Sequence, residues 1–196
     1  LVHLSHKSDQ YLNELSDGEK QRAMIAKALA QDTPLIFLDE PTAHLDVPNR
    51  VQIMLLLRRL ARETKKTIVL STHELDLALQ AADCIWLMDN QGITTGLPED
   101  LVLQGIFQQT FANENLNFHN ETGSFSMHYP ISKTVQLSGD TTQVFWTQRA
   151  LARAGYSISQ KAEIKIHTTT EGWTVITAKQ KTFYTKLEEV LTALST

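Results

Sequence analysis

The sequence contains a single cysteine, Cys84, and its longest unbroken aliphatic run is the five residues 53–57. One cysteine excludes an internal disulfide and a cysteine-rich zinc site. The aliphatic run is far shorter than the roughly 20 residues that a membrane-spanning helix needs. The net charge is only −4, so we expect no nucleic-acid partner. Hydrophobic residues make up 42% of the chain, which is enough for a packed core.

Glycine is also scarce, and none of the eight glycines is followed by lysine. The sequence therefore contains no G-x-x-x-x-G-K-[ST] loop, the segment whose backbone N–H groups and lysine hold the phosphates of a nucleotide. If these residues take part in nucleotide chemistry, the phosphate-binding loop must be supplied by other residues.

A polar, amide-rich segment at residues 113–120 (NENLNFHN) separates two parts of different character. Such composition is typical of a linker, so we predict domains at 1–112 and 121–196. In the first, continuous apolar strands at 35–38, 67–70 and 84–88 alternate with helices at 48–64 and 75–82, which predicts an α/β fold with a parallel sheet. In the second, the order β-α-β-β-α predicts a small α+β domain, with Asp140 capping its first helix.

Two adjacent carboxylates, Asp39 and Glu40, come directly after the first apolar strand. Unpaired charges are unfavourable next to a strand that is buried on both faces, so these two acids need a reason for their position. One such reason is a bound cation such as Mg²⁺. Asp39 would hold the ion, and Glu40 would orient an attacking water. The alternative is that both acids cap the following turn.

His73 follows the second apolar strand, at the edge of the sheet where the acids are expected. An imidazole donor there could contact a phosphate oxygen, although a lone histidine can also be purely structural. Ser16, Asp17 and Gly18 precede a further helix, whose N-terminus attracts phosphate. An ordinary helix cap explains these three residues equally well.

Together, four segments resemble the motifs of the ATP-binding-cassette (ABC) ATPases. The signature motif is matched by LSDGEKQR at 15–22, the Walker B strand with its catalytic glutamate by LIFLDE at 35–40, the D-loop by TAHLD at 42–46, and the switch-histidine loop by STH at 71–73. They occur in the order and spacing of the family. The fold implied is a parallel sheet like that of the P-loop NTPases. The segment from Ser71 to Met88 resembles importer ATPases for iron-siderophore, haem or cobalamin.

The resemblance implies a subunit that hydrolyses ATP with Mg²⁺ and pairs head to tail with a second copy around two ATP molecules. It implies a peripheral position at the cytoplasmic face of the inner membrane, on transmembrane permease subunits. The implied residue roles are a Mg²⁺ shell for Asp39, polarisation of water by Glu40, a γ-phosphate contact for His73 and a link between active sites for Asp46. Within the signature segment of Ser16, Asp17 and Gly18, the serine and the glycine would contact the γ-phosphate that the partner subunit holds.

Two departures from the family pattern matter. Asp17 stands where the signature usually has glycine, which adds a negative charge near a phosphate site. The phosphate-binding loop is absent, so we expect these residues to be the C-terminal portion of a longer polypeptide and not to hydrolyse ATP alone. An alternative function is a non-catalytic interaction or regulatory module built on the C-terminal domain.

Overall fold

Helices and strands alternate along the first part of the chain in the predicted order. A computed structural model describes residues 2–90, 92–111 and 113–195, and divides the chain into two units, Leu1–Ser126 and Met127–Thr196. The first unit begins with two short 3-10 helices. Its remaining elements are α1 (Asp17–Ala30), β1 (Leu35–Leu38), α2 (Val47–Thr64), β2 (Thr67–Leu70), α3 (Leu75–Ala81), β3 (Ile85–Asp89), β4 (Gly92–Gly96), α4 (Pro98–Leu103), α5 (Ile106–Phe111), β5 (Leu116–His119) and β6 (Ser124–Met127).

Strands β1 and β2 form a parallel pair, as the sequence predicts. Their register joins Leu35 to Thr67 and Leu38 to Leu70, so both strands end at the same edge. The prediction was wrong for the third strand: β3 pairs antiparallel with β4 in a separate hairpin. The reason is that β3 is followed by a short turn and a strand, and a short connection can join only antiparallel neighbours.

The expectation that β1 is buried on both faces also fails. Ile36 is buried, but Phe37 on the opposite face is 69% exposed and Leu35 is 42% exposed. Helix α2 packs against the face of the pair that carries Leu38, Ile68 and Leu70. One face of the β1–β2 pair is therefore apolar and open.

Helix α2 supplies most of the core beneath this pair. Asp46 caps its N-terminus by accepting a hydrogen bond from the Asn49 N–H at 3.0 Å, and Pro48 lies in its first turn, where a missing N–H costs nothing. Its apolar side is fully buried, with side chains packed against α1 and both strands: Ile53, Leu56, Leu57 and Leu60.

The linker predicted at 113–120 contains strand β5 instead. Phe118 on this strand is 5% exposed, and its ring lies 5.5 Å from that of Phe107 on α5. Phe125 on β6 approaches Phe111 at 5.9 Å. Because this aromatic packing binds the β5–β6 hairpin to the first unit, the division between units falls at Ser126, further along the chain than predicted.

The second unit is a mixed α/β structure, with a five-stranded sheet in the order β11-β10-β9-β7-β8. Two short strands, β8 and β11, are added to the predicted order. Asp140 caps the first helix as predicted, accepting from the Gln143 N–H at 3.1 Å. The elements are β7 (Lys133–Gly139), α6 (Thr141–Arg153), β8 (Tyr156–Ile158), β9 (Lys165–Thr169), β10 (Gly172–Ile176), β11 (Lys181–Tyr184) and α7 (Leu187–Ser195). Among the described residues of both units, no helix is long and apolar enough to cross a membrane.

The core of the second unit is built around Leu151 of α6, which is fully buried. We expect Leu151→Ala to lower the free energy of unfolding of a 127–196 fragment by about 2–5 kcal/mol, because the cavity left by the side chain fills incompletely. Phe145→Ala on the same helix is the matched control, since Phe145 is 51% exposed; its expected effect is below about 1 kcal/mol. Urea denaturation measures both, and equal effects would contradict the assigned core.

Candidate active site

The hydroxyl of Ser71 joins the ends of the two parallel strands. It donates to Asp39 Oδ1 at 2.5 Å and accepts from the Glu40 N–H at 2.9 Å. The Ser71 N–H in turn donates to the Leu38 carbonyl at 3.0 Å, which continues the parallel ladder by one residue. The two adjacent acids are thereby held at the carboxyl edge of the sheet, where ligands of such sheets bind.

The backbone of Glu40 has the left-handed conformation, with φ of +41°. This region is unfavourable for a residue with a side chain and is seen mainly where surrounding contacts impose it. Here the contacts are the hydrogen bond from Glu40 N–H to Ser71 and the bond that the Glu40 carbonyl accepts from Ala43 N–H at 3.0 Å. The twist turns the Glu40 side chain away from the strand direction and towards the loop that follows β2.

His73 lies in that loop and contacts a carboxylate with each ring nitrogen. Its Nδ1 is 3.3 Å from Glu40 Oε1, and its Nε2 is 3.4 Å from Glu74 Oε1. His73 and Glu40 are 63% and 49% exposed, whereas Glu74 is 14% exposed. The structure therefore brings the two predicted catalytic residues together, with their functional groups open to solvent.

Glu74 is held by Arg50, which lies on α2. Arg50 Nη1 donates to Glu74 Oε1 at 2.5 Å, and Arg50 Nε donates to the Leu45 carbonyl at 2.6 Å. Leu45 immediately precedes Asp46, the residue that caps α2. The predicted role of Asp46 as a link between active sites remains a prediction; its contact in this structure is the cap.

The second group of predicted residues surrounds the start of α1. Ser16 is the N-cap: its N–H and hydroxyl both donate to Glu19 Oε2 at 2.9 Å, and its Oγ accepts from the Glu19 N–H at 3.4 Å. This reciprocal pattern is a capping box. The cap that the sequence left as an alternative is present, and it does not conflict with a phosphate contact because further N–H groups of the first turn remain available.

Gly18 lies against the beginning of α2. A Cβ at this position would meet Asn49 Oδ1 at 3.3 Å, so the signature segment and the D-loop helix approach closely there. A shallow cavity opens beside them, lined by Ser16, Gly18, Asn49 and by side chains that can carry positive charge, His3, His6 and Arg22, together with Leu4 and Glu19.

Asp17 brings an extra negative charge to this region. Its Oδ1 lies 3.1 Å from Lys20 Nζ, one turn further along α1. Both side chains are well exposed, so the pair contributes little to stability. The lysine nevertheless offsets the charge that the sequence places near the cavity.

The donor set at the carboxyl edge fits a hard divalent cation. Such an ion takes oxygen ligands, keeps several waters and binds substrate phosphates in addition to one or two carboxylates. Asp39 offers an exposed carboxylate, whose Oδ1 accepts a hydrogen bond from the Ser71 hydroxyl. Within residues 2–90, 92–111 and 113–195, no three His, Cys, Asp or Glu side chains form a cage for a metal.

The paired acids and the histidine lie on the loops that follow two adjacent parallel strands. Residues 1–43 match the family model "ABC transporter", and residues 132–195 match "Iron ABC transporter C-terminal domain". The first unit is thus similar to an ABC transporter ATPase domain, and the second unit to the C-terminal domain of iron ABC transporters. The resemblance found in the sequence is confirmed for the first unit.

Curated relatives agree with this assignment. The chain is 39% identical over 115 residues to an uncharacterized ABC transporter ATP-binding protein of Methanocaldococcus jannaschii, covering 58% of this chain and 40% of that protein. It is 42% identical to the petrobactin import ATP-binding protein YclP of Bacillus subtilis, covering 53% and 41%. For the ferric enterobactin transport ATP-binding protein FepC of Escherichia coli, identity is 30%, covering 67% and 49%. The chain therefore spans less than half the length of these relatives.

Solved structures of ABC transporters share the fold. A metal-chelate type ABC transporter in an inward-facing conformation aligns with a TM-score of 0.53 and 28% identity, covering 65% of this chain and 51% of that one. The CbiO1 protein of Clostridium perfringens, part of the ABC transporter complex CbiONQ, aligns with a TM-score of 0.50 and 29% identity, covering 55% and 43%. The predicted fold class is confirmed by these alignments.

Sequence reasoning did not single out three residues that shape the site. The contact of Ser71 with Asp39 could have been predicted, because Ser71 follows β2 as Asp39 follows β1. Nothing in the sequence indicated that Arg50 and Glu74 are in contact, since a charged residue on a helix face or after a strand is usually solvated. The family of the C-terminal domain was also missed, because its helices and strands have no motif with a chemical meaning.

The capping box at Ser16 predicts a measurable shift in ionisation. The pKa of the Glu19 carboxyl lies below its ordinary value, chiefly because the Ser16 N–H and then the Ser16 hydroxyl donate to its ionised form, with a smaller contribution from Lys7. This contribution to stability is present above the ordinary pKa of glutamate and is lost as the pH falls through the lowered one. In an NMR titration, we expect Ser16→Ala to raise the pKa of Glu19 partway, because the backbone bond remains.

Ser16→Thr is the control for that titration, since threonine keeps the hydroxyl. The lowered pKa of Glu19 should persist in this variant. An unchanged pKa of Glu19 in Ser16→Ala would show that the hydroxyl does not contribute.

Proposed function

We propose that this chain is part of the ATP-hydrolysing subunit of an ABC importer. The observation that carries the proposal is the convergence of Asp39, Glu40 and His73 at one edge of the β1–β2 pair, with Ser71 joining the strands. Catalysis of phosphoryl transfer rests on positioning and on neutralising charge, and these groups are suited to both.

In this proposal each side chain acts on the phosphate end of ATP. Glu40 orients and polarises the attacking water, and the carboxylate is exposed and free to reach one. Both ring nitrogens of His73 contact a carboxylate in this structure, so His73 would donate a hydrogen bond to a γ-phosphate oxygen by exchanging its 3.3 Å contact with Glu40 for the phosphate. Asp39 belongs to the shell of Mg²⁺, which when bound neutralises negative charge on the phosphates.

A second copy of the subunit completes the proposed site. Ser16 and Gly18, with Asp17 between them, would present the N-terminus of α1 to the γ-phosphate of nucleotide held by the partner in a head-to-tail dimer. Asp46, at the start of α2 and close to this segment through Asn49, would connect the two sites. The phosphate-binding loop must come from residues outside these 196, since they contain none.

The proposed cargo is an iron-siderophore, haem or cobalamin type of compound. The names of two relatives state petrobactin import and ferric enterobactin transport, and the C-terminal match is to an iron transporter domain. The subunit would lie peripherally at the cytoplasmic face of the inner membrane, bound to transmembrane permease subunits.

The proposal is tested at Glu40 in the protein that includes the phosphate-binding loop. Glu40→Gln keeps the size of the side chain and one acceptor oxygen but removes the base, so ATP binding should be spared and hydrolysis should fall by at least about 10²-fold. Equilibrium ATP binding and steady-state phosphate release measure the two effects. Turnover equal to that of the unmodified protein would remove Glu40 from this role.

The 196 residues alone should show no ATPase activity, because their sequence contains no loop of the kind that holds the α- and β-phosphates. Turnover by this chain that is lost on Glu40→Gln would contradict that expectation.

The second unit is expected to lie outside the catalytic chemistry. Deleting residues 127–196 from the longer protein should leave basal ATP hydrolysis within a few-fold, since Asp39, Glu40 and His73 all belong to the first unit. A regulatory or dimer-contact role for this unit predicts changed transport or assembly with preserved hydrolysis. Loss of ATP binding in a deletion variant that keeps its circular dichroism spectrum would place the unit in the active site.

A further inference from the structure

Arg50 stands between three segments that the proposed reaction uses. It lies on the first turn of α2, where its N–H donates to the Asp46 carbonyl at 2.9 Å. Its guanidinium reaches the D-loop through the Leu45 carbonyl and the switch-histidine loop through Glu74. A guanidinium is a planar fork with fixed donor directions, so the two acceptors are held at a fixed separation.

Glu74 differs from the other carboxylates of the site in its burial. It is 14% exposed and its carboxylate is shared by Arg50 and His73, while its backbone N–H donates to Thr72 Oγ1 at 3.0 Å. A carboxylate taken this far out of water needs a charged partner, and Arg50 supplies one at 2.5 Å. The position of the Glu74 carboxylate is therefore fixed by Arg50 on α2.

His73, in contrast, is largely exposed and has two contacts longer than 3.2 Å. Contacts between exposed charged groups are weak and do not by themselves fix a side chain. Of the two carboxylates that His73 contacts, Glu74 is the one held by a further charged group, Arg50, and the other ring nitrogen of His73 faces Glu40.

We propose that Arg50 and Glu74 are positioning residues, which orient His73 towards Glu40 and tie this orientation to the D-loop backbone at Leu45. The inference rests on the proposed ATPase function. Arg50 and Glu74 do not touch the substrate; they act through His73. A movement of the D-loop would shift the Arg50 guanidinium, then Glu74, and so change the distance between His73 and Glu40.

A second arginine on the same helix provides a matched control. Arg58 also links α2 to the region of α3: its Nη1 donates to the Ala81 carbonyl at 2.6 Å and its Nη2 lies 3.6 Å from Asp83. Arg50 and Arg58 are 31% and 32% exposed, so the two arginines are matched in burial, while their acidic partners differ: Glu74 is 14% exposed and Asp83 is 77% exposed. Arg58→Met removes a link between α2 and the end of α3 without altering any contact of His73.

The experiment uses the protein that carries the phosphate-binding loop, with variants Arg50→Met, Glu74→Gln, the double variant and Arg58→Met. We expect kcat to fall about 10- to 100-fold in Arg50→Met and in Glu74→Gln, while the affinity for ATP stays unchanged. A loss of this size is typical when a catalytic group is displaced by about 1 Å. The double variant should be no slower than the slower single variant, because the two residues act as one unit. Arg50→Lys should recover part of the loss, and Arg58→Met should leave kcat unchanged.

A readout independent of turnover separates this inference from the proposed function. The NMR resonances of the His73 ring should move in Arg50→Met and Glu74→Gln but not in Arg58→Met. Unmoved resonances, additive losses in the double variant, or an equal loss in Arg58→Met would overturn the positioning role. Moved resonances in a protein that does not hydrolyse ATP would uphold the positioning and overturn the ATPase proposal instead.

Discussion

The hydroxyl of Ser71 makes the interaction on which the site depends, because it fixes the ends of two parallel strands to each other. Leu38 and Leu70 are register partners, so the residues that follow them, Asp39 and Ser71, meet directly. A shift of register by one residue would turn the side chains to opposite faces and separate these groups. The twisted backbone of Glu40 and its approach to His73 both follow from this junction.

Helix α2 connects this junction to the rest of the first unit. Its buried side fills the core beneath the strands, its capped N-terminus carries the D-loop, and Arg50 reaches the loop of His73. Stability and site geometry thus share one element. A close-packed core deforms little, so a helix held by it can place a guanidinium to within the tolerance that an oriented imidazole requires.

The boundary between the two units is a case in which amino-acid composition gave a wrong prediction. The amide-rich segment before residue 121 has the composition of a linker, yet Phe118 within it packs on Phe107 and secures a hairpin to the first unit. A single aromatic side chain that buries its ring outweighs several polar neighbours, because those neighbours lose nothing by remaining at the surface. The match to the iron ABC transporter C-terminal domain accordingly begins beyond the hairpin, at residue 132.

The sequence by itself determined the helices and strands from Asp17 to Asp89, the parallel pairing of the first two strands, and the group formed by Asp39, Glu40 and His73. Local apolar patterns, caps and motif spacing carry that information within a few residues of chain. The tertiary structure alone decided the antiparallel pairing of β3, the open face at Phe37, and the contacts of Arg50 with Leu45 and Glu74. Each of these three features depends on which parts of the chain, distant in sequence, come into contact. The sequence pattern around a charged residue is the same whether its side chain faces water or a buried carboxylate.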